Sequence, residues 1–285
     1  MAVAIVIALL VLGSILFHIF SPWWLTPIAS NWGSIDTAFK TTLYICAIAF
    51  VGLNLFLALA LLKYRARAGH KAHYEPENVK LEKRLTLWTG IAIAALLAPG
   101  LLAWDKFVTV PKDAAVIEAT GQQWQWGFRL PGPDGVLGTA AVAQMSSENP
   151  FGLNPRDPYA RDDILVETNE LHVPLGKPVK IVLRSKDVLH DFYVPEFRAR
   201  MNLVPGIVTY FWMTPTRAGK YDILCAQLCG VGHYQMRGTI VVENQAAFDA
   251  WQAEQMNFGQ MLAQNEAARA PQLAQADAKP VIRGR

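Results

Sequence analysis

The sequence predicts two or three transmembrane helices at the N-terminus, followed by an all-β sandwich on the outer face of a membrane. Three observations predict it. Apolar residues concentrate in three uncharged stretches within the first 105 of the 285 residues. Lysine and arginine crowd the loop between the second and third stretches. Beyond about Ala114 the pattern changes to short β-type runs separated by Gly, Pro, Asn and Asp.

The first stretch, within residues 1–22, is apolar from Ala2 to Phe20 apart from Ser14 and His18. It reads as a retained helix rather than a cleaved signal: no Lys or Arg precedes it, and Pro27 to Ser30 is a poor cleavage site. The second, within 41–64, holds the polar Asn54 and no charge from Leu43 to Leu62. The third, 85–105, is uncharged from Leu85 to Trp104, with Pro99 and Gly100 near its end. Each approaches the roughly 20 residues that cross a hydrocarbon core. Residues 65–84 form a basic loop carrying Lys63, Arg65, Arg67, Lys71, Lys80, Lys83 and Arg84 at or near its ends. The positive-inside rule makes that loop cytoplasmic, so the third helix delivers the rest of the chain to the outer face of the cell's plasma membrane. Trp23, Trp24 and Trp32, in a segment with a single Lys, fit the outer interface.

The outer portion, 114–244, contains candidate strands at 115–119, 124–130, 164–167, 179–184, 208–213, 221–224 and 237–242. That density of short strands indicates a β-sandwich or barrel. Residues 245–264 read as a surface helix, and 265–285, rich in Ala and Gln, as a disordered tail. No internal repeat, phosphate-binding glycine loop, nucleic-acid module or Cys-x-x-Cys-His haem attachment is present.

The chemistry concentrates in CAQLCGVGHYQM, which spaces Cys225, Cys229, His233 and Met236 four, four and three apart, with His190 upstream in SKDVLHDFYVP. Only Cys46 is present besides these two cysteines, which excludes a disulfide framework; within an apolar helix it reads as a small buried residue. Cys225, Cys229, His233 and His190 could close a structural zinc tetrahedron, leaving Met236 as core. Blue-copper sites use two His, one Cys and a weak axial Met. This chain has that set plus a second thiolate, and two thiolates four apart can bridge a pair of copper ions. His18, His70, His73 and His172 read as surface or interfacial residues.

Several motifs together resemble subunit II of the haem–copper cytochrome c oxidases: ATGQQWQW at 119–126, SKDVLHDFYVP, Val204-Pro205-Gly206, Trp88-Thr89 and CAQLCGVGHYQM. The resemblance covers roughly Leu43 to Val242. It implies a cupredoxin-like domain with a binuclear copper A centre, an electron-transfer role, and oxygen reduction in a haem-bearing subunit I. Carried over, Cys225 and Cys229 bridge two coppers. His190 and Met236 complete one, and His233 and the Gln227 backbone carbonyl the other. Trp124 matches the aromatic residue that receives the electron from cytochrome c, while Trp126 reads as core.

Departures mark a divergent member. Gln227 stands where the family commonly has Glu, whose carboxylate helps hold magnesium; an amide is a poorer ligand for a hard cation, so no strong magnesium site is expected. Leu85 stands where a Glu often feeds a proton path, and Asn202 replaces an acid. These departures keep open an alternative: the copper A subunit of a membrane nitric oxide reductase. The portion after Trp104 is nearly neutral, with 18 basic and 19 acidic residues. Asp162, Asp163, Glu167, Glu170, Asp187, Asp191 and Glu196 could supply a local acidic patch to steer a basic donor, or be an ordinary solvated face.

Overall fold

A computed structural model describes residues 1–21, 25–71 and 73–277, with side chains through Arg269. Trp23, Trp24 and residues 278–285 of the tail lie outside the described residues. The chain divides into two units, Met1–Thr26 with Gly33–Lys106, and Pro27–Trp32 with Phe107–Arg285.

Helices α1 (Ala2–Phe20), α2 (Gly33–Lys63) and α3 (Val79–Val108) make up the first unit, α3 running on into the second. All three are long and apolar enough to cross a membrane. Their outward faces carry exposed Leu9, Ile48 and Leu101, as lipid contact requires. Asn54 is tolerated because its amide donates to the Phe50 carbonyl one turn back, at 2.8 Å. Cys46 is exposed on α2.

Two helices outrun their expected bounds. α2 begins at Gly33 rather than 41, where Thr37 bonds back to the Gly33 carbonyl. α3 takes in 79–84 from the expected loop because the Asn78 side chain accepts the Leu81 N–H and starts the helix early. Hydropathy marks the lipid-buried length of a helix and is silent on polar turns beyond it.

The second unit is a two-sheet sandwich. Its strands are β1 (Ala115–Gln122), β2 (Gln125–Leu130), β3 (Ile164–Val166), β4 (Glu170–Pro174), β5 (Val179–Ser185), β6 (His190–Val194), β7 (Ala199–Leu203), β8 (Thr209–Met213), β9 (Gly219–Cys225), β10 (Arg237–Glu243) and β11 (Met256–Asn257). One sheet runs β11-β3-β2-β1-β5-β8 and the other β4-β10-β9-β6-β7. Among the named strands, only β1–β5 and β4–β10 pair with each other in parallel. The inner faces bury Ile117, Trp126, Phe128, Phe192, Phe211 and Ile223. Strands β4, β6 and β7 are not among the strands expected from the sequence: HDFYV buries His190 and Asp191 among apolar residues, which breaks the expected alternation, while ARMNL does alternate but over only five residues.

Trp32 is buried in this unit. Its indole N–H donates to the Trp212 carbonyl at 2.9 Å, and the neighbouring Ser30 bonds the Phe197 carbonyl at 2.7 Å. Opposite, the long β2–β3 connection folds over the outer face of the first sheet. There Phe151, Leu153 and Ala160 pack with Leu165 and Phe258.

The expected single helix at 245–264 is two. α4 (Gln245–Glu254) is capped by Asn244, whose side chain accepts the Ala247 N–H. β11 then pairs with β3, and α5 (Phe258–Asp277) follows. The disordered-tail reading is therefore corrected for 265–277, which continue α5. Ala and Gln are good helix formers, and Asn257 caps the Gln260 N–H at 2.8 Å. Asn265 and Arg269 both bond Glu148 in the long connection.

Candidate metal centre

The candidate ligands come from three local structures that the β6–β9–β10 arrangement brings together. His190 opens β6, Cys225 closes β9, and Met236 precedes β10. Phe192 on β6 lies opposite Cys225, and the Ala226 N–H donates to the Asp191 carbonyl, which fixes β6 against the start of the loop. The Cys225 N–H donates to the Met236 carbonyl at 3.2 Å, closing the segment into a loop with both ends anchored. Inside it, a 3-10 turn at His233–Gln235 aims the second imidazole inward.

Donor atoms converge accordingly. The Cys225 and Cys229 sulfurs lie 3.7 Å apart. His190 Nδ1 is 4.0 Å from the Cys225 sulfur, and His233 Nδ1 is 3.5 Å from that of Cys229. Met236 Sδ is 3.9 Å from the Cys229 sulfur, and the Gln227 carbonyl oxygen 3.2 Å from that of Cys225. His190, Cys225, Cys229 and Met236 are all buried. Every ligand position expected from the sequence thus falls in one cluster. Two sulfurs, two imidazole nitrogens and a thioether are soft to borderline donors, a set that fits copper.

The electrostatics ask for a cation. Burial pushes the Cys225 thiol up, but His190 and the backbone at Asp191 and Gln227 outweigh it and hold it down at about 6. Burial and then the neighbouring Cys225 push Cys229 up to about 12. Two adjacent thiolates repel, so the second ionises only when positive charge sits between them.

Three supporting residues were not legible as such. Asp187 Oδ1 lies 2.8 Å from His190 Nε2, so Nε2 carries the proton and the Nδ1 lone pair faces the sulfurs. Burial raises the Asp187 pKa, yet the Gln123 N–H, His190 and the Val188 N–H hold it below the usual range. Gly121 makes room for the imidazole: a Cβ there would meet His190 Cδ2 at 3.2 Å. The Gln123 side chain donates to the Cys229 carbonyl at 2.8 Å. The Asp–x–x–His spacing is the one signal of this role in the sequence.

Trp124 sits in the β1–β2 turn, half-buried, with its indole N–H 3.3 Å from the Cys229 carbonyl. Trp126 is fully buried and meets His190 and Phe192 edge-on. His172 stacks on Trp251 at 4.4 Å and bonds Glu170 and Glu243. Asp163 and Asp191 leave the expected acidic patch, being buried against Arg129 and Arg200.

Residues 115–245 match the family model for the periplasmic domain of cytochrome c oxidase subunit II. The chain is 53% identical over 270 residues to the alternative cytochrome c oxidase subunit 2 of Bradyrhizobium diazoefficiens, covering 95% of this chain and 98% of that one. This chain belongs to the cytochrome c oxidase subunit II family. The cytochrome c oxidase subunit 2 of Thermostichus vulcanus is 26% identical over 248 residues, covering 77% of this chain and 74% of the other. The crystallised periplasmic domain of subunit II from Bradyrhizobium japonicum aligns with a TM-score of 0.38 at 26% identity, over 51% of this chain and 95% of that one. As a subunit II, the chain is a membrane protein with an outer-face β-sandwich and a member of a haem–copper oxidase complex serving electron transfer. Its His–Cys cluster is compatible with the copper binding of that family.

Proposed function

We propose that this chain accepts electrons one at a time from cytochrome c, or a similar donor, and passes them to haem in subunit I, where oxygen is reduced to water. It does so in the plasma membrane, with the β-sandwich on the outer face. His190, Cys225, Gln227, Cys229, His233 and Met236 would hold a binuclear copper A centre. His190 and Met236 would serve one ion, and His233 and the Gln227 carbonyl the other, with both thiolates shared. The observation that carries this reading is the pair of sulfurs 3.7 Å apart, ringed by two imidazoles and a thioether. A closed tetrahedral site uses four ligands; six convergent donors are more than one such ion takes. When bound, a copper pair held by these residues would supply one-electron exchange.

The chain's own residues do the rest. Asp187 keeps His190 in the tautomer that presents Nδ1. Burial excludes water from the sulfurs and the thioether. Trp124 offers a route from the surface, through its indole N–H, to the Cys229 carbonyl and so to a ligand residue.

Electron paramagnetic resonance of the copper-loaded, oxidised protein tests the reading. A seven-line copper hyperfine pattern, from one electron over two nuclei, is expected. A four-line blue-copper signal, or zinc with no signal, would sink it. Cys225→Ser should abolish the shared-electron spectrum, and turnover of the purified complex should consume oxygen in preference to nitric oxide.

A further inference from the structure

We propose that a cleft on the outer face of the first sheet binds a free amino acid, its carboxylate on Lys186, its ammonium on Glu167 and an apolar side chain against Phe151. None of the candidate metal ligands lines this cleft, so the site is independent of the electron-accepting role.

Strands β1 and β2 floor the cleft with Thr120, Gln122 and Gln125, and the long β2–β3 connection walls it with Met145, Pro150 and Phe151. Lys186, just after β5, and Glu167, just after β3, stand at its sides. Its volume of about 380 Å³ is within the range of small-molecule pockets. Phe151 reaches the sheet because Gly127 leaves room for it: a Cβ there would meet Phe151 Cζ at 3.2 Å. The Lys186 ammonium lies over the same ring, 5.5 Å from its centre.

Polar groups along this sheet face are treated in two ways. Two residues back along β1 from Thr120, Glu118 pairs with Arg129 and with Arg184 of β5, and Arg129 pairs with Asp163. In the cleft that pairing stops. Among the described residues, neither the Lys186 ammonium nor the exposed Glu167 carboxylate makes a hydrogen bond or an ion pair. The side-chain amides of Gln122 and Gln125, opposite each other in the β1–β2 register, are likewise without a partner there. Thr120 is only 2% exposed, yet its hydroxyl has no partner either, which is a costly state for a buried polar group. Burial lowers the Lys186 pKa and outweighs the attraction of Glu167 and Asp187. A cation and a carboxylate that line one cleft without bonding each other match a zwitterion. A simple anion would be repelled by Glu167, and a simple cation by Lys186. A carboxylate brought to Lys186 gains charge-assisted hydrogen bonds, and Phe151, Pro150 and Met145 offer an apolar wall to an aliphatic side chain.

Equilibrium dialysis of the full-length chain in detergent against radiolabelled leucine tests the site. One saturable site, half-filled below about 10 mM, is expected. Leucinamide, which lacks the carboxylate, and isocaproate, which lacks the ammonium, should each displace leucine about tenfold less well or worse. Lys186→Met and Glu167→Gln should each weaken leucine by about tenfold. In Lys186→Met, leucine and leucinamide should bind equally, because the group that tells them apart is gone. The competition series uses the parent chain and decides the matter even where a variant does not fold. The idea is overturned if leucine shows no saturable binding up to about 10 mM, or if isocaproate or leucinamide displaces it as well as leucine itself. Folded variants that keep the parent affinity would overturn it as well.

Discussion

The Asp187 carboxylate accepts the Nε2–H of His190 at 2.8 Å and the backbone N–H of Gln123 at 2.7 Å, joining a metal-loop imidazole to the turn that carries Trp124. Removing it frees the imidazole to rotate and unties the turn. Asp187→Ala should lower copper affinity by about 10–100-fold, the usual cost of losing such a partner. Competition against a copper chelator reads it directly. Asp187→Asn, which keeps an oxygen that can accept from Nε2–H, should recover part of the loss. Equal affinity in all three proteins would show that His190 is held by packing alone.

Trp124 can be separated from the ligands because its indole N–H meets the Cys229 carbonyl, which is not one of the candidate donor atoms. Trp124→Phe removes the N–H and shortens the ring, so oxidation of a reduced c-type cytochrome should slow by about tenfold or more, each tenfold being about 1.4 kcal/mol of barrier. The copper spectrum should not change. A stopped-flow rate equal to that of the parent would make Trp124 a rim-filling residue.

Gly232 tests the same contact from the other side. Its added Cβ would overlap Trp124 Cδ2 at 2.4 Å, deep inside van der Waals contact. Gly232→Ala must push the ring or the loop away, at roughly 1–3 kcal/mol of stability. Lower thermal stability with altered tryptophan fluorescence is the expected outcome. An unchanged melting curve would mean that the ring is not seated on this backbone.

The ligand set was legible because its spacing is local and its chemistry restrictive: sulfur, sulfur, imidazole and thioether within twelve residues admit few alternatives. Membrane helices were legible for a similar reason, since a hydrocarbon core imposes a length. Less visible was whatever depends on contacts distant in sequence. Asp187 reads as one more surface acid until His190 lies against it. Asp163 looks like a patch residue until the β2–β3 connection folds over it. The break between α4 and α5 is set by β11 pairing with β3 and by Phe258 filling a cluster made elsewhere in the chain. None of these has a periodic or spacing signal of its own.

The long connection is tied down by a buried ionic cluster. Arg129 bonds Asp163 at 2.6 Å, Glu118 at 2.9 Å and the Gly138 carbonyl at 2.8 Å, and all three charged side chains are essentially sealed from solvent. Arg129→Met keeps the volume but strands the buried Asp163 carboxylate, while Glu118 keeps Arg184 at 2.9 Å, and should cost about 3–5 kcal/mol. A lowered urea midpoint of the outer domain, with an intact copper spectrum, is the expected result. A loss below about 1 kcal/mol would place the cluster among exposed, weakly contributing pairs.

Asp163 also gives that cluster a pH dependence of defined sign. Burial pushes its carboxyl up to about 6, against the opposing pull of Arg129 and the Gly138 N–H. An unfolded Asp titrates near about 3.9. The folded state therefore holds this proton more tightly. Its contribution to stability is fully present below about pH 4, declines as pH rises through about 6, and is constant above. Asp157, Glu170 and Asp187, whose carboxyls are held low, work in the opposite direction, so the Asp163 contribution must be read as a difference. Asp163→Asn removes the titration while keeping the shape. Parent minus variant unfolding free energy should fall by roughly 2–3 kcal/mol between about pH 4 and pH 7. A difference that is flat or rises over that window would mean that Arg129 dominates and that Asp163 is ionised throughout.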